Sequence, residues 1–167
     1  MAAKSRLDPA FEPADAFIGI ATNMPSTQLV HFINNITLLN LVREEDLPVY
    51  SEKTDSLNRF RFFYYPDEDY RSDFCLVGNN NGGPNLLATH KQFSFFLIVQ
   101  GAMPDGKISQ LVTQIKSITG VQLAAIISQE PIKSLGPILQ DLELHLTELK
   151  KVKAGGIKRY MPLSENQ

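Results

Sequence analysis

Residues 93–127 constrain the fold most, because an apolar segment, a helix-periodic segment and a second apolar segment follow one another directly. The apolar run 93–99 stops before Gly101, which is typical of a buried β-strand that ends in a turn. Gly120 lies where a left-handed helix end belongs, and the apolar run 121–127 predicts a second buried strand. The intervening apolar residues share one helical face: Ile108, Leu111, Val112, Ile115 and Ile118. The sequence therefore predicts a strand–helix–strand unit whose apolar residues are needed for packing and supply no acid, base, nucleophile or metal ligand.

A second strand–helix pair is predicted near the start of the chain. Residues 16–21 form a short apolar strand candidate, and Pro25 and Ser26 are suited to the first turn of a helix. Residues 41–50 form a connection with a possible short strand. The predicted buried stripe of the helix is Leu29, Phe32, Ile33, Ile36 and Leu39.

An aromatic β-hairpin is predicted between these two units. Residues 59–65 are extended and aromatic, residues 66–69 have turn composition, and residues 73–77 return as a second strand. Side chains alternate between the two faces of a strand. One face therefore takes Phe60, Phe62 and Tyr64, and the other takes Arg59, Arg61 and Phe63.

The last predicted element is a helix that begins near Pro137 and ends at Gly155 and Gly156. Its apolar stripe must be buried against something, and two possibilities are open. The helix could fold back over the aromatic sheet face, or it could form a homodimer by pairing with its counterpart in a second subunit. The stripe consists of Leu135, Leu139, Leu142, Leu146 and Leu149.

This order of elements predicts an α+β fold with a mainly antiparallel sheet covered by helices on one face. A ferredoxin-like sandwich with one or two extra strands, plus the C-terminal helix, fits the order best. We expect a flexible N-terminal arm at residues 1–14, a single domain at 15–153 and a polar tail at 154–167.

Composition narrows the classes of function. The formal net charge of -2 and the pI near 5.9 argue against a nucleic-acid partner, because domains that bind nucleic acid usually carry an excess of Lys and Arg. Cys75 is the single cysteine, which favours a reducing compartment. Neither a signal peptide nor a membrane-spanning apolar run is evident, so we expect a cytoplasmic protein with no membrane association.

The chain resembles the small bacterial proteins named for the signature IPExxxVDY. The resemblance covers residues 16–127 and includes the segment from Phe17 to Leu47, the aromatic hairpin and the run through Leu97. At the signature the apolar character is kept at Leu87, Phe93 and Phe95, whereas Ala88, Thr89 and Ser94 replace proline, glutamate and aspartate. The resemblance implies the fold and a cytoplasmic location, and it implies no activity.

No residue pattern points to catalysis. His31, His90 and His145 are far apart in the sequence and lack metal-ligand spacing. The acidic turn 67–69 lacks the alternating oxygen ligands of a cation loop, and the loop 79–84 reads as a flexible linker. We therefore predict no catalytic residue, no metal and no cofactor.

Three binding functions remain open. The hairpin has more aromatic residues than one sheet face can bury, and aromatic residues mixed with arginine are typical of protein interfaces. We therefore predict a non-catalytic adaptor or regulatory module that binds an unknown protein partner. RNA binding is the alternative, through stacking of bases on Phe93 and Phe95, and a ligand-binding regulatory domain is the third. The predicted binding residues are Arg59, Arg61, Phe63 and Tyr65.

Overall fold

The computed structural model describes residues 14, 16–51, 53–80 and 82–165, with side chains described as far as residue 154. The described residues form six strands, three α-helices and a short 3₁₀ turn at Ala88–His90. In chain order the elements are β1 (Ala16–Thr22), α1 (Ser26–Thr37), β2 (Val42–Ser51), β3 (Ser56–Asp67), β4 (Ser72–Gly78), β5 (Phe95–Gln100), α2 (Asp105–Lys116), β6 (Val121–Ile126) and α3 (Leu135–Glu165).

The six strands form one open sheet in the order β2-β3-β4-β5-β1-β6. Every neighbouring pair is antiparallel, so the prediction of an α+β protein with a mainly antiparallel sheet is confirmed. The predicted hairpin is β3 and β4, and the predicted short strand is β2. Strand β1 lies between β5 and β6, which leaves β2 and β6 at the two edges of the sheet.

Helices cover both faces of the sheet, so the prediction of a single covered face is wrong. One core joins β-strand residues such as Ile18, Leu76 and Leu97 to α1 and α2. A second core, on the opposite face, joins Phe62 and Phe96 to α3. The physical reason is that the central strands are apolar on both sides and therefore need a layer on each. The predicted leucine stripe of α3 is buried in this second core: Leu135, Leu139, Leu142, Leu146 and Leu149.

Helix α1 is rotated relative to its predicted stripe. Leu29 and Ile33 are buried as expected, but Val30 replaces Phe32 and Ile36, which are each 37% exposed. Helical spacing allowed either face, and the position of α2 beside α1 decides which one packs on the sheet.

The ends of the chain differ from the prediction in two ways. Helix α3 continues through the two glycines to Glu165, so the predicted end at Gly155 is wrong. Residues 1–13 of the predicted arm lie outside the described residues. Ala14 is buried, and its backbone N–H and carbonyl oxygen both bond to the Gln129 side chain, at 2.8 and 2.9 Å.

Candidate functional site

Strands β2 and β3 also form a hairpin, which is covered along its length on one face and only near Phe63 on the other. Helix α3 packs on that face, where Leu47, Phe60 and Phe62 are buried. Helices α1 and α2 lie over the inner strands and over Phe63 of β3, and they leave the rest of the other face of the hairpin open. Tyr50 and Leu57 are opposite each other in the ladder, and each is 52% exposed. We call this surface the hairpin face, and it consists of Pro48, Tyr50, Leu57, Arg59 and Arg61.

The alternation of β3 sets which side chains reach the hairpin face. Phe60, Phe62 and Tyr64 share one face, as predicted, and this face belongs to the core under α3. Arg59 and Arg61 point to the opposite side and are exposed, also as predicted. Pro48 lies opposite Arg59 in the ladder, next to the pair of Tyr50 and Leu57. The two arginines therefore lie beside the apolar surface that Tyr50 and Leu57 make.

Arg61 joins the hairpin face to the start of α1. Its Nη1 donates a hydrogen bond to the Ser26 hydroxyl, with 3.0 Å between the atoms. Ser26 is 4% exposed and is the first residue of α1. The first turn of this helix contains no acidic residue and no side-chain cap, so its partial positive charge is not offset within the helix. The guanidinium and the helix start therefore place positive potential at one point.

A cavity of about 370 Å³ lies at this point. Arg61 and Ser26 form part of its wall, and Phe95 supplies an apolar part. Met24 and Pro25 add to the apolar part, whereas Gly78, Asn80 and Ser94 are small or polar. The cavity therefore offers an apolar contact beside hydrogen-bond donors and a positive charge.

A buried asparagine holds the loop that forms one wall of this cavity. Asn79 is 1% exposed, and its side-chain amide donates to the carbonyl oxygens of Phe93 and His90, at 2.9 and 3.0 Å. Its side-chain oxygen accepts the N–H of Leu87, at 2.9 Å. The loop that begins at Asn79 was predicted to be a flexible linker, but this residue anchors it to two neighbouring segments.

Two of the four predicted binding residues are not on the exposed surface. Phe63 is only 3% exposed, so its predicted exposure is wrong; it packs in the core under α1 and α2, with the Arg43 guanidinium 5.6 Å from its ring centroid. Tyr65 is half-buried against the same core, and its ring lies 6.1 Å from that of Phe74. Sequence reasoning missed Tyr50 and Leu57. Their signal was the alternation of β2 and β3, which becomes usable once the register of the two strands is known.

The aromatic residues of the RNA interpretation are also buried. Phe93 is 6% exposed and packs on the α3 side of the sheet, whereas Phe95 is 8% exposed and packs on the α1 and α2 side. Stacking on a base requires an open ring face. These two residues do not provide one.

The titratable groups buried in the sheet are held in unreactive forms. Burial raises the pKa of the Cys75 thiol well above its ordinary value, so the thiolate is disfavoured. Burial and a 2.6 Å hydrogen bond to Asp73 raise the pKa of Tyr64, which stays protonated as a donor. Lys150 lies 3.4 Å from the second oxygen of Asp73.

The histidines have separate surroundings. His31 is exposed beside Asn35, and His90 contacts the Thr89 hydroxyl. His145 lies over Phe62, and its Nε2 donates to the carbonyl oxygen of Glu45, at 3.0 Å. Within the described part of the chain, histidine, cysteine and acidic side chains form no group of three or more that could hold a metal ion.

A second groove, of about 310 Å³, lies between the end of α1, α2 and the β3–β4 turn. Its lining is mixed and includes Phe74, Met103, Lys107 and Asp67. Leu38 at its rim is 86% exposed and has a left-handed backbone with φ of 65°. This left-handed conformation is unfavourable for a leucine. At the end of a helix it is usually adopted by Gly or Asn.

We compared the chain with protein-family models, with curated proteins and with solved structures, and found no match. The resemblance to the IPExxxVDY proteins therefore stays a prediction. Across the described residues, no helix combines the length and the apolar character needed to cross a bilayer.

Proposed function

We propose that this protein is a non-catalytic adaptor or regulatory module whose hairpin face binds an acidic, partly apolar segment of a partner protein. One observation carries the proposal: Tyr50 and Leu57 are half exposed on a part of the sheet that no described helix covers, next to Arg59 and Arg61. Tyrosine and arginine are the residue types that dominate binding energy at protein interfaces.

The charge of this surface favours an acidic partner. The Arg61 guanidinium is hydrogen-bonded to a neutral hydroxyl, so this contact does not offset its charge, and the guanidinium has further N–H donors. The start of α1 adds to the positive potential at the same cavity. A carboxylate from the partner would gain charge-assisted hydrogen bonds there, while an apolar side chain would pack on Tyr50 and Leu57.

The fold and location of this module form part of the proposal. Without β2 and β3, the strand order is β6-β1-β5-β4 with two crossover helices, which supports a ferredoxin-like core carrying an added hairpin. We also propose that the chain is a cytoplasmic, divergent member of the IPExxxVDY group. Homodimer formation through α3 stays a prediction, and it would have to use exposed residues such as Leu144 and Val152 because the leucine stripe is buried within the chain.

A pull-down with matched charge reversals tests the proposal. We would compare proteins captured from native cytosol by the wild-type chain, by Arg61→Glu and by Lys151→Glu, using quantitative mass spectrometry. Lys151 is an exposed residue of α3, on the other side of the sheet. Its reversal changes the net charge of the protein by the same amount as Arg61→Glu, but at a distance from the hairpin face. We expect a partner that the wild type and Lys151→Glu retain and Arg61→Glu loses at least tenfold. Equal capture by all three chains would contradict the proposal.

A further inference from the structure

Strand β6 forms one edge of the sheet, and within the described part of the chain no further strand pairs with it. The sequence predicted a buried strand here, and that prediction is wrong: Leu123 is 41% and Ile126 is 55% exposed. Among the described residues β6 pairs only with β1. The strand reads Val-Gln-Leu-Ala-Ala-Ile, without a charged residue or a proline. Native proteins usually protect an edge strand with charges, prolines or a covering element.

The opposite edge shows the protection that β6 lacks. Strand β2 begins with a charged run from Arg43 to Asp46 and contains Pro48. Helix α3 also covers its outer side: His145 donates to the carbonyl oxygen of Glu45, and the Asp141 carboxylate accepts the N–H of Tyr50. The two edges of the sheet thus differ in charge, in proline content and in their contacts with α3. This difference indicates that β6 is left open for a partner strand.

The register of β1 and β6 fixes which backbone groups of β6 are available. The N–H of Ile127 donates to the carbonyl oxygen of Phe17, at 2.7 Å, and Ala125 lies opposite Gly19. In an antiparallel ladder, alternate residues direct their backbone groups to alternate sides. The N–H and carbonyl groups of Gln122, Ala124 and Ile126 therefore point away from β1, into the space beyond the sheet.

We propose that a second copy of this chain pairs with this edge, β6 to β6 in antiparallel orientation, with the two-fold axis at Ala124. In this register Gln122 and Ile126 of one copy lie opposite Ile126 and Gln122 of the other, so the outward groups make about six hydrogen bonds. A two-fold interface places each surface against itself. An uncharged strand meets no repulsion in that arrangement, whereas a charged partner would find no complementary charge.

Side-chain packing supports the same register. Leu123 of one copy lies opposite Ala125 of the other, at positions where the backbones do not exchange hydrogen bonds and side chains approach most closely. The exposed leucine thus meets a small residue that leaves room for it, and the contact occurs twice. The pairing would join the two sheets into one continuous sheet.

Sedimentation equilibrium of the full chain tests the proposal. We expect a concentration-dependent mass that rises to twice the 18.7 kDa of one chain. Leu123→Lys and Ile126→Lys, each at an exposed position, should weaken the association at least tenfold without changing the circular dichroism spectrum. Leu144→Lys, at a position 62% exposed on α3, is the matched control and should leave the association unchanged. A monomeric wild type, or dissociation caused by Leu144→Lys alone, would overturn the proposal.

Disulfide trapping tests the register. Opposed residues at these positions have Cα atoms about 4.5 Å apart, within the range that a disulfide spans. A mixture of Leu123→Cys and Ala125→Cys chains should form disulfide-linked dimers several-fold faster than either variant alone. If each variant alone cross-links as fast as the mixture, or if none cross-links while the wild type is dimeric, the proposed register is wrong. The native Cys75 is buried and does not compete.

Discussion

The Arg61 guanidinium donates a hydrogen bond to the hydroxyl of Ser26, 3.0 Å away, and so ties strand β3 to the first residue of α1. In the sequence, β2 lies between the two elements that hold these residues. Because Ser26 is buried and Arg61 is exposed, the contact fixes the Nη1 end of the guanidinium and leaves its other donors toward solvent. The hairpin face therefore presents a positioned charge, which costs less conformational entropy on binding than a mobile one.

We predict that Asn79→Ala lowers the free energy of unfolding by about 3 kcal/mol, because three backbone groups lose their hydrogen-bond partner at a buried site. Asn80→Ala is the matched control, since Asn80 is exposed and its hydrogen bonds to described residues stay within its own loop, and it should change the free energy by less than about 0.5 kcal/mol. Urea unfolding followed by circular dichroism measures both values. Equal losses for the two variants would show that the loop is not anchored at Asn79.

We predict that Tyr64→Phe destabilises the fold by about 1–2 kcal/mol, because the Asp73 carboxylate loses a charge-assisted hydrogen bond of 2.6 Å. Lys150 remains near Asp73, so the carboxylate keeps one partner. Tyr65→Phe serves as the control, and we expect a change below about 0.5 kcal/mol. Thermal unfolding by calorimetry compares the two variants, and a stability of Tyr64→Phe equal to that of the wild type would refute the assigned role.

We predict that Asp141→Asn stabilises the protein at neutral pH. Burial raises the pKa of the Asp141 carboxyl, so the charged form is less favourable in the folded chain than in the unfolded chain. The folded state then binds the proton first as the pH falls. The destabilisation by this group begins above the ordinary pKa of aspartate and is complete above the folded-state pKa. The amide oxygen of the asparagine still accepts the N–H of Tyr50. The free energy of unfolding should therefore rise by about 0.2–0.5 kcal/mol at pH 7.

The gain should shrink as the pH falls through the folded-state pKa toward the ordinary value for aspartate, because the wild-type carboxyl is then neutral as well. Urea unfolding of both chains from pH 7 to pH 4 measures the difference. A wild type that is more stable than Asp141→Asn at pH 7 would mean that the negative charge is favourable here.

Local patterns predicted the elements and the faces of the central strands. The apolar runs and helical spacing at residues 93–127 gave β5, α2 and β6, and the alternation of β3 placed Phe60, Phe62 and Tyr64 on one face. These are properties of a short stretch of chain, and they depend only on strand and helix geometry.

Features that depend on neighbours in space could not be predicted from the sequence. An apolar run such as β6 has the same composition in a central strand and at an unguarded edge, so its exposure could not be foreseen. Phe63 was expected to be exposed because its cover, the core of α1 and α2, comes from distant parts of the chain. The hairpin face was only half recognised, since Tyr50 meets Leu57 through a register that includes a bulge in β2.

Photo-cross-linking from two exposed leucines tests the central claim most directly. A photoreactive residue would replace Leu57, which is 52% exposed on the hairpin face, or Leu144, which is 62% exposed on α3. Each full-length chain would be irradiated in native cytosol, and the cross-linked products identified by mass spectrometry. We expect a specific protein adduct from position 57 that Arg61→Glu abolishes, and no adduct with that protein from position 144. An adduct from position 144 alone, or one from position 57 that persists in Arg61→Glu, would contradict a hairpin face that binds a partner protein.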